Sequence, residues 1–122
     1  MKLLIVDDSN IIRKKIERSC NIPNLEVVGS AANGVDAIEL FKQHSPDMVT
    51  MDITMPTMDG IECIEELNKI NPNSLILVVS ALNDKATAIQ ALKKGAHGFL
   101  CKPFNDDTLN DALQELITNN MT

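Results

Sequence analysis

The chain has 122 residues, which is a single-domain length, and 44% of them are apolar, enough for a real buried core. With three Phe, no Tyr and no Trp, that core has to be aliphatic, with six Met as adaptable filler. A formal net charge of −6, without a basic stripe or aromatic platforms, excludes a nucleic-acid binder, and no apolar run approaches the length of a membrane span.

Cys20, Cys63 and Cys101 are odd in number, have no CxxC spacing, and lie in or beside apolar segments. They read as buried free thiols of a reducing compartment. Asp7-Asp8 cuts the first apolar run too short for a secretory signal, so a cytoplasmic location is expected.

Apolar runs alternate with amphipathic stretches five times. The first strand is read at 2–6, and a helix over about 10–20 places Ile12, Ile16 and Cys20 on one face. Leu25 to Gly29 is the second strand, and a helix over about 34–44 turns Ala37, Ile38 and Phe41 inward. The third strand is 47–51, and a helix starting near Gly60 carries Ile61, Ile64 and Leu67 at three-residue spacing. The fourth strand is 75–79, and the helix over about 84–94 is read with Ile89 and Leu92 inward. The fifth strand, 98–101, precedes the clearest stripe: Leu109, Ala112, Leu113, Leu116 and Ile117. Asn33-Gly34, Asp59-Gly60 and Asn71-Pro72 are turn signals, and Gly95 falls where a helix C-cap is needed. Strands alternating with helices imply parallel βαβ units with right-handed crossovers. The expected fold class is α/β: a three-layer α/β/α sandwich of five parallel strands and five helices, one domain over 1–122. The polar tail from Thr118 leaves no room for an output domain.

Four of the strands end in polar residues that packing does not explain. Leu3-Leu4-Ile5-Val6 ends in Asp7-Asp8, Met48-Val49-Thr50-Met51 in Asp52, Leu75-Ile76-Leu77-Val78-Val79 in Ser80, and Phe99-Leu100-Cys101 in Lys102-Pro103. In an open parallel sheet, ligands bind beyond the carboxyl ends of the strands. The second strand lacks such a terminus, which fits an edge position and the strand order 2-1-3-4-5. Asp7, Asp8 and Asp52 then converge at the switch point. Three packed carboxylates repel one another unless a cation intervenes, and Mg²⁺ suits an oxygen site of this kind. Lys102 supplies a point charge for a phosphoryl group, and Ser80 a hydrogen bond. A lone Asp at a strand end is ordinarily a cap or turn residue, but four polar ends in one register reverse that reading.

Asp7-Asp8, Met51-Asp52-Ile53-Thr54-Met55-Pro56, Ser80-Ala81 and Lys102-Pro103-Phe104 together resemble the receiver domain of two-component response regulators. The resemblance covers essentially the whole chain and is nearest to the stand-alone CheY-like type, whose fold is flavodoxin-like. It implies that Asp52 is the phosphoacceptor and that Asp7, Asp8, Asp52 and the backbone carbonyl of Thr54 hold Mg²⁺. It implies that Lys102 pairs with a phosphoryl oxygen, that Ser80 carries the change outward, and that Phe99 occupies an aromatic switch position. It also implies a cis Lys102–Pro103 peptide bond. A sensor histidine kinase is the implied phosphodonor. A protein effector, the flagellar motor switch or another, is the implied target of the helix 4, strand 5 and helix 5 face, with chemotaxis one compatible pathway. A stand-alone chain favours a monomer. Self-phosphorylation and autodephosphorylation are the only reactions implied, so the chain is not read as an enzyme.

The departures matter too. Phe99 lacks the hydroxyl of the Tyr usual in CheY-type proteins that bind the flagellar switch. The resemblance implies that Thr54 and Leu82 occupy the two positions flanking the phosphate, and Leu82 is read as restricting attacking water and prolonging the phosphorylated state. Ser9 or Asn10 caps the first helix. Met51, Met55 and Met58 are packing and loop residues, and His44 and His97 surface positions. Lys85, Lys93 and Lys94 form a solvated face, with an acidic partner as the alternative. A phosphohydrolase with an aspartyl nucleophile would carry an acid where Thr54 stands. A nucleotide or flavin module would need GxGxxG, GxxxxGK or stacking aromatics. A phosphorelay intermediate and a phosphorylation-independent interaction module stay open.

Overall fold

The computed structural model describes residues 1–53, 55, 58–81 and 85–120. Ten elements alternate along it: β1 (Lys2–Val6), α1 (Asn10–Ser19), β2 (Glu26–Ala31), α2 (Gly34–His44), β3 (Met48–Met51), α3 (Gly60–Ile70), β4 (Leu75–Ser80), α4 (Lys85–Lys94), β5 (Gly98–Cys101) and α5 (Asp106–Asn120). All strand pairs are parallel, in the order β2-β1-β3-β4-β5. This is the expected α/β sandwich.

Strand periodicity builds two cores. Leu4, Val6, Val49, Met51, Ile76 and Val78 face one side, where Ala37, Phe41, Ile64, Leu67 and Ala91 meet them from α2, α3 and α4. Leu3, Ile5, Met48, Leu77 and Val79 face the other, against Ile16 of α1 and Leu109, Leu113 and Leu116 of α5. Successive strand side chains point to opposite faces, so an unbroken apolar run is the signature of a strand covered on both sides. Each large aliphatic side chain buried this way contributes about 1.5–3 kcal/mol.

The N-caps follow from short polar side chains. Ser9, Asn33 and Asp59 accept hydrogen bonds from the backbone N–H of Ile12, Asp36 and Glu62 at 3.3, 2.8 and 2.8 Å. Asn33-Gly34 and Asp59-Gly60, read from sequence as turns, are therefore helix starts. Gly95 ends α4 at φ +124°, a conformation that favours glycine.

Three local expectations change. The second strand runs to Ala31 instead of stopping at Gly29. Leu3 pairs with Val27 but Leu4 with Gly29, so Val28 is the extra residue of a bulge, and the glycine marks an irregularity inside the strand. Ile89 and Leu92 are 46% and 49% exposed, facing out of α4 and not into the core. The inward residue is Ala91, whose small side chain lets the helix lie close to the sheet and leaves the bulky ones outside. Of the three cysteines only Cys63 is buried. Cys20 is half-buried and Cys101, at the end of an edge strand, is exposed.

Candidate functional site

The polar residues at the sheet's carboxyl edge are held by the sheet itself, one residue beyond each strand. Asp7 N–H donates to Ala31 of β2 at 3.0 Å, Asp52 N–H to Val6 of β1 at 2.9 Å, and Lys102 N–H to Ser80 of β4 at 2.8 Å. Each chain end is thus pinned to the neighbouring strand before its side chain does anything. Ser80 is the last residue of β4 and fully buried.

Carboxylate oxygens of Asp7, Asp8 and Asp52 all lie within 4.8 Å of one another. Asp7 and Asp52 are 1% and 2% exposed, while Asp8 opens to solvent. Lys102 Nζ sits 2.8 Å from Asp7 Oδ2 and 3.7 Å from Asp52 Oδ1. Asp7 is further fixed from two sides: its Oδ1 accepts from Ser9 N–H at 2.9 Å, and its carbonyl accepts from Arg13 Nη1 at 2.7 Å. Asp7 Oδ2 is buried, and its contact with the ammonium is an ion pair without hydrogen-bond alignment.

Three carboxylates and one ammonium leave a formal charge of −2 at a site open to solvent on the Asp8 side. A small divalent cation neutralises it. The all-oxygen donor set, with Asp8 open to water and Asp7 Oδ2 lacking an aligned donor, fits a hard ion that keeps part of its hydration shell. The Lys102–Pro103 peptide bond is cis. Phe99 is half-buried on β5 and packs against the core under α2, α3 and α4. Thr54 and Leu82, read from sequence as a cation ligand and a neighbour of the phosphate, lie outside the described residues.

Two contributors were not visible beforehand. Arg13 buttresses the carbonyl of Asp7, and a side-chain contact to a backbone atom leaves no mark in a sequence. Gly60 is the other: a Cβ there would lie 2.1 Å from the Asp52 carbonyl oxygen and 2.5 Å from Ile53 Cα. Its N–H closes the intervening loop on Ile53 O at 2.7 Å. The Asp59-Gly60 pair hinted at it, but as a turn.

His97, expected on the surface, is half-buried. Its Nδ1 accepts from Ile76 N–H at 3.1 Å, and burial pulls its pKa below the usual value. Burial and the neighbouring Glu62, Glu66 and Asp59 charges push the Cys63 thiol up to about 12, so it is inert. No described helix is long and apolar enough to cross a membrane.

The response regulator receiver domain model matches residues 3–114. The chemotaxis protein CheY of Thermotoga maritima is 44% identical over 115 residues, covering 94% of this chain and 96% of that protein. CheY of Bacillus subtilis is 40% identical over 116 residues, covering 95% and 97%. A CheX–CheY–BeF3–Mg²⁺ complex from Borrelia burgdorferi superposes with a TM-score of 0.87 at 32% identity, over 98% of this chain and 88% of that one. The chain belongs to the response regulator receiver domain family and is a phosphorylation-activated, CheY-like response regulator.

Proposed function

We propose that Asp52 is the residue that accepts the phosphoryl group, with Asp7 and Asp8 holding Mg²⁺ beside it and Lys102 facing the transferred group. The carrying observation is the arrangement itself: three carboxylates within 4.8 Å, with one ammonium against both Asp7 and Asp52. An Asp52 carboxylate oxygen attacks phosphorus in line, and the bond from phosphorus to the donor breaks with its electron pair leaving on the donor. Bound Mg²⁺ supplies charge neutralisation for the phosphoryl oxygens. Lys102 moves from its carboxylate contacts toward a phosphoryl oxygen as negative charge builds there. Phosphoryl transfer asks for positioning and charge neutralisation more than for elaborate side-chain chemistry, and this pocket offers both.

The phosphodonor is a histidine kinase, as for the family. The aspartyl phosphate adds nearly two negative charges next to Ser80 and Lys102. These residues end β4 and follow β5, so the change is read out on the face of α4, β5 and α5. That face presents Ile89 and Leu92 beside Lys85 and Lys93 to an acidic protein effector. Its 44% and 40% identity to the CheY relatives supports a cytoplasmic signalling protein working in chemotaxis. Its only chemistry is its own phosphorylation and dephosphorylation.

Intact mass after incubation with acetyl phosphate tests this reading. Wild type gains one labile phosphoryl group only with Mg²⁺, and Asp52→Asn gains none. A stable or Mg²⁺-independent adduct, or equal labelling of Asp52→Asn, overturns the assignment.

A further inference from the structure

We propose that Lys15 is a positioning residue for Lys102, an inference that rests on the phosphoacceptor reading above. Lys15 is on α1, far in sequence from the β5–α5 loop, yet its ammonium donates to the Phe104 carbonyl at 2.5 Å. The same ammonium stands 4.5 Å from the centroid of the Phe104 ring. One group thus holds both the backbone and the side chain of a residue two positions after Lys102. Phe104 is 6% exposed, in the core between α1 and α5. Lys15 thereby ties the Pro103–Phe104 segment to α1.

The contact closes a mechanical ring. Arg13 of α1 holds the Asp7 carbonyl at 2.7 Å, Asp7 Oδ2 faces Lys102 Nζ at 2.8 Å, and Phe104 returns to α1 through Lys15. Helix α1 is therefore a brace between the acidic side of the pocket and the loop that follows its ammonium. Upstream, Lys102 is fixed by its N–H to Ser80 O, and downstream by Phe104. Removing the Lys15 ammonium frees the downstream side and widens the spread of Lys102 positions. A displacement of about 1 Å in such a group is enough to slow transfer markedly.

The full chain is tested as wild type, Lys15→Met, Lys15→Arg, Lys102→Ala and the double variant Lys15→Met/Lys102→Ala. Labelling by acetyl phosphate with Mg²⁺ is followed by intact mass, since the chain has no Trp or Tyr to report by fluorescence. Lys15→Met keeps an apolar stem over the Phe104 ring and removes only the charge. It is expected to slow labelling at saturating donor by roughly five- to tenfold. Mg²⁺ affinity by calorimetry stays within about twofold of wild type, because the acidic side of the pocket is untouched. Lys15→Arg keeps most of the rate. On the Lys102→Ala background, Lys15→Met causes no further loss, the mark of action through Lys102. Wild-type labelling by Lys15→Met, or an equal loss on both backgrounds, overturns the proposal. An unlabelled wild type would instead overturn the phosphoacceptor reading beneath it.

Discussion

Thr50 shows how a single atom in the core carries a cost. It lies in the middle of β3, 1% exposed, between Ile5 and Leu77, and its Oγ1 has no hydrogen-bond partner among the described residues. A buried hydroxyl left unpaired costs about 1–3 kcal/mol. Thr50→Val removes the hydroxyl at nearly constant volume and is expected to raise stability by about 1 kcal/mol, a gain of a few degrees in Tm. A lowered Tm in a thermal melt would show that the hydroxyl has a partner after all. Gly60 is the opposite case, since its lack of a side chain is what lets α3 start against the Asp52 carbonyl.

At the scale of an element, α4 separates packing from display. Its contact with the core is made by Ala91, fully buried, while Ile89 and Leu92 stand outside. Ala91→Leu should overpack the interface and cost about 1–3 kcal/mol. Ile89→Lys, on the outer face, should stay within about 0.5 kcal/mol of wild type. Urea denaturation of both variants checks the assignment, and the reverse ranking would mean that the helix is rotated. Ile89 and Leu92 resemble core residues along the chain but stand outside it. The sequence Lys85–Lys94 holds a stripe of bulky residues and a stripe of alanines, and side-chain size favoured the wrong one. Only the room left between α4 and the sheet decides between them.

The whole molecule's stability has a pH dependence with a stated source. His97 joins the α4–β5 connection to β4: its unprotonated Nδ1 accepts from the Ile76 backbone N–H, and the His97 backbone N–H donates to Ile76 O at 2.8 Å. Its pKa is lowered by desolvation, so the folded chain binds this proton less readily than the unfolded chain. The stabilising contribution is therefore complete above the ordinary value of 6.5 and is lost as pH falls through the lower folded value. His97→Asn keeps an acceptor and cannot titrate. Between pH 7.5 and 5.5, wild type should lose more stability than His97→Asn in parallel urea titrations. Equal losses would leave the carboxylates as the source.

The layers, the strand order and the identity of the polar strand ends are legible in the chain alone. Those follow from patterns along the chain: doubly buried strands leave apolar runs, and residues just past them must land at one edge of a parallel sheet. Tertiary structure decided what depends on meetings between distant segments. It put Asp7 deeper than Asp8, set Lys102 against Asp7 and Asp52 together, turned Ile89 and Leu92 outward and exposed Cys101. It also joined Lys15 to Phe104, 89 residues away. Periodicity records which face a residue is on; it does not record how closely two elements approach or which backbone atom a long side chain reaches. Those distances exist only after the chain has closed on itself.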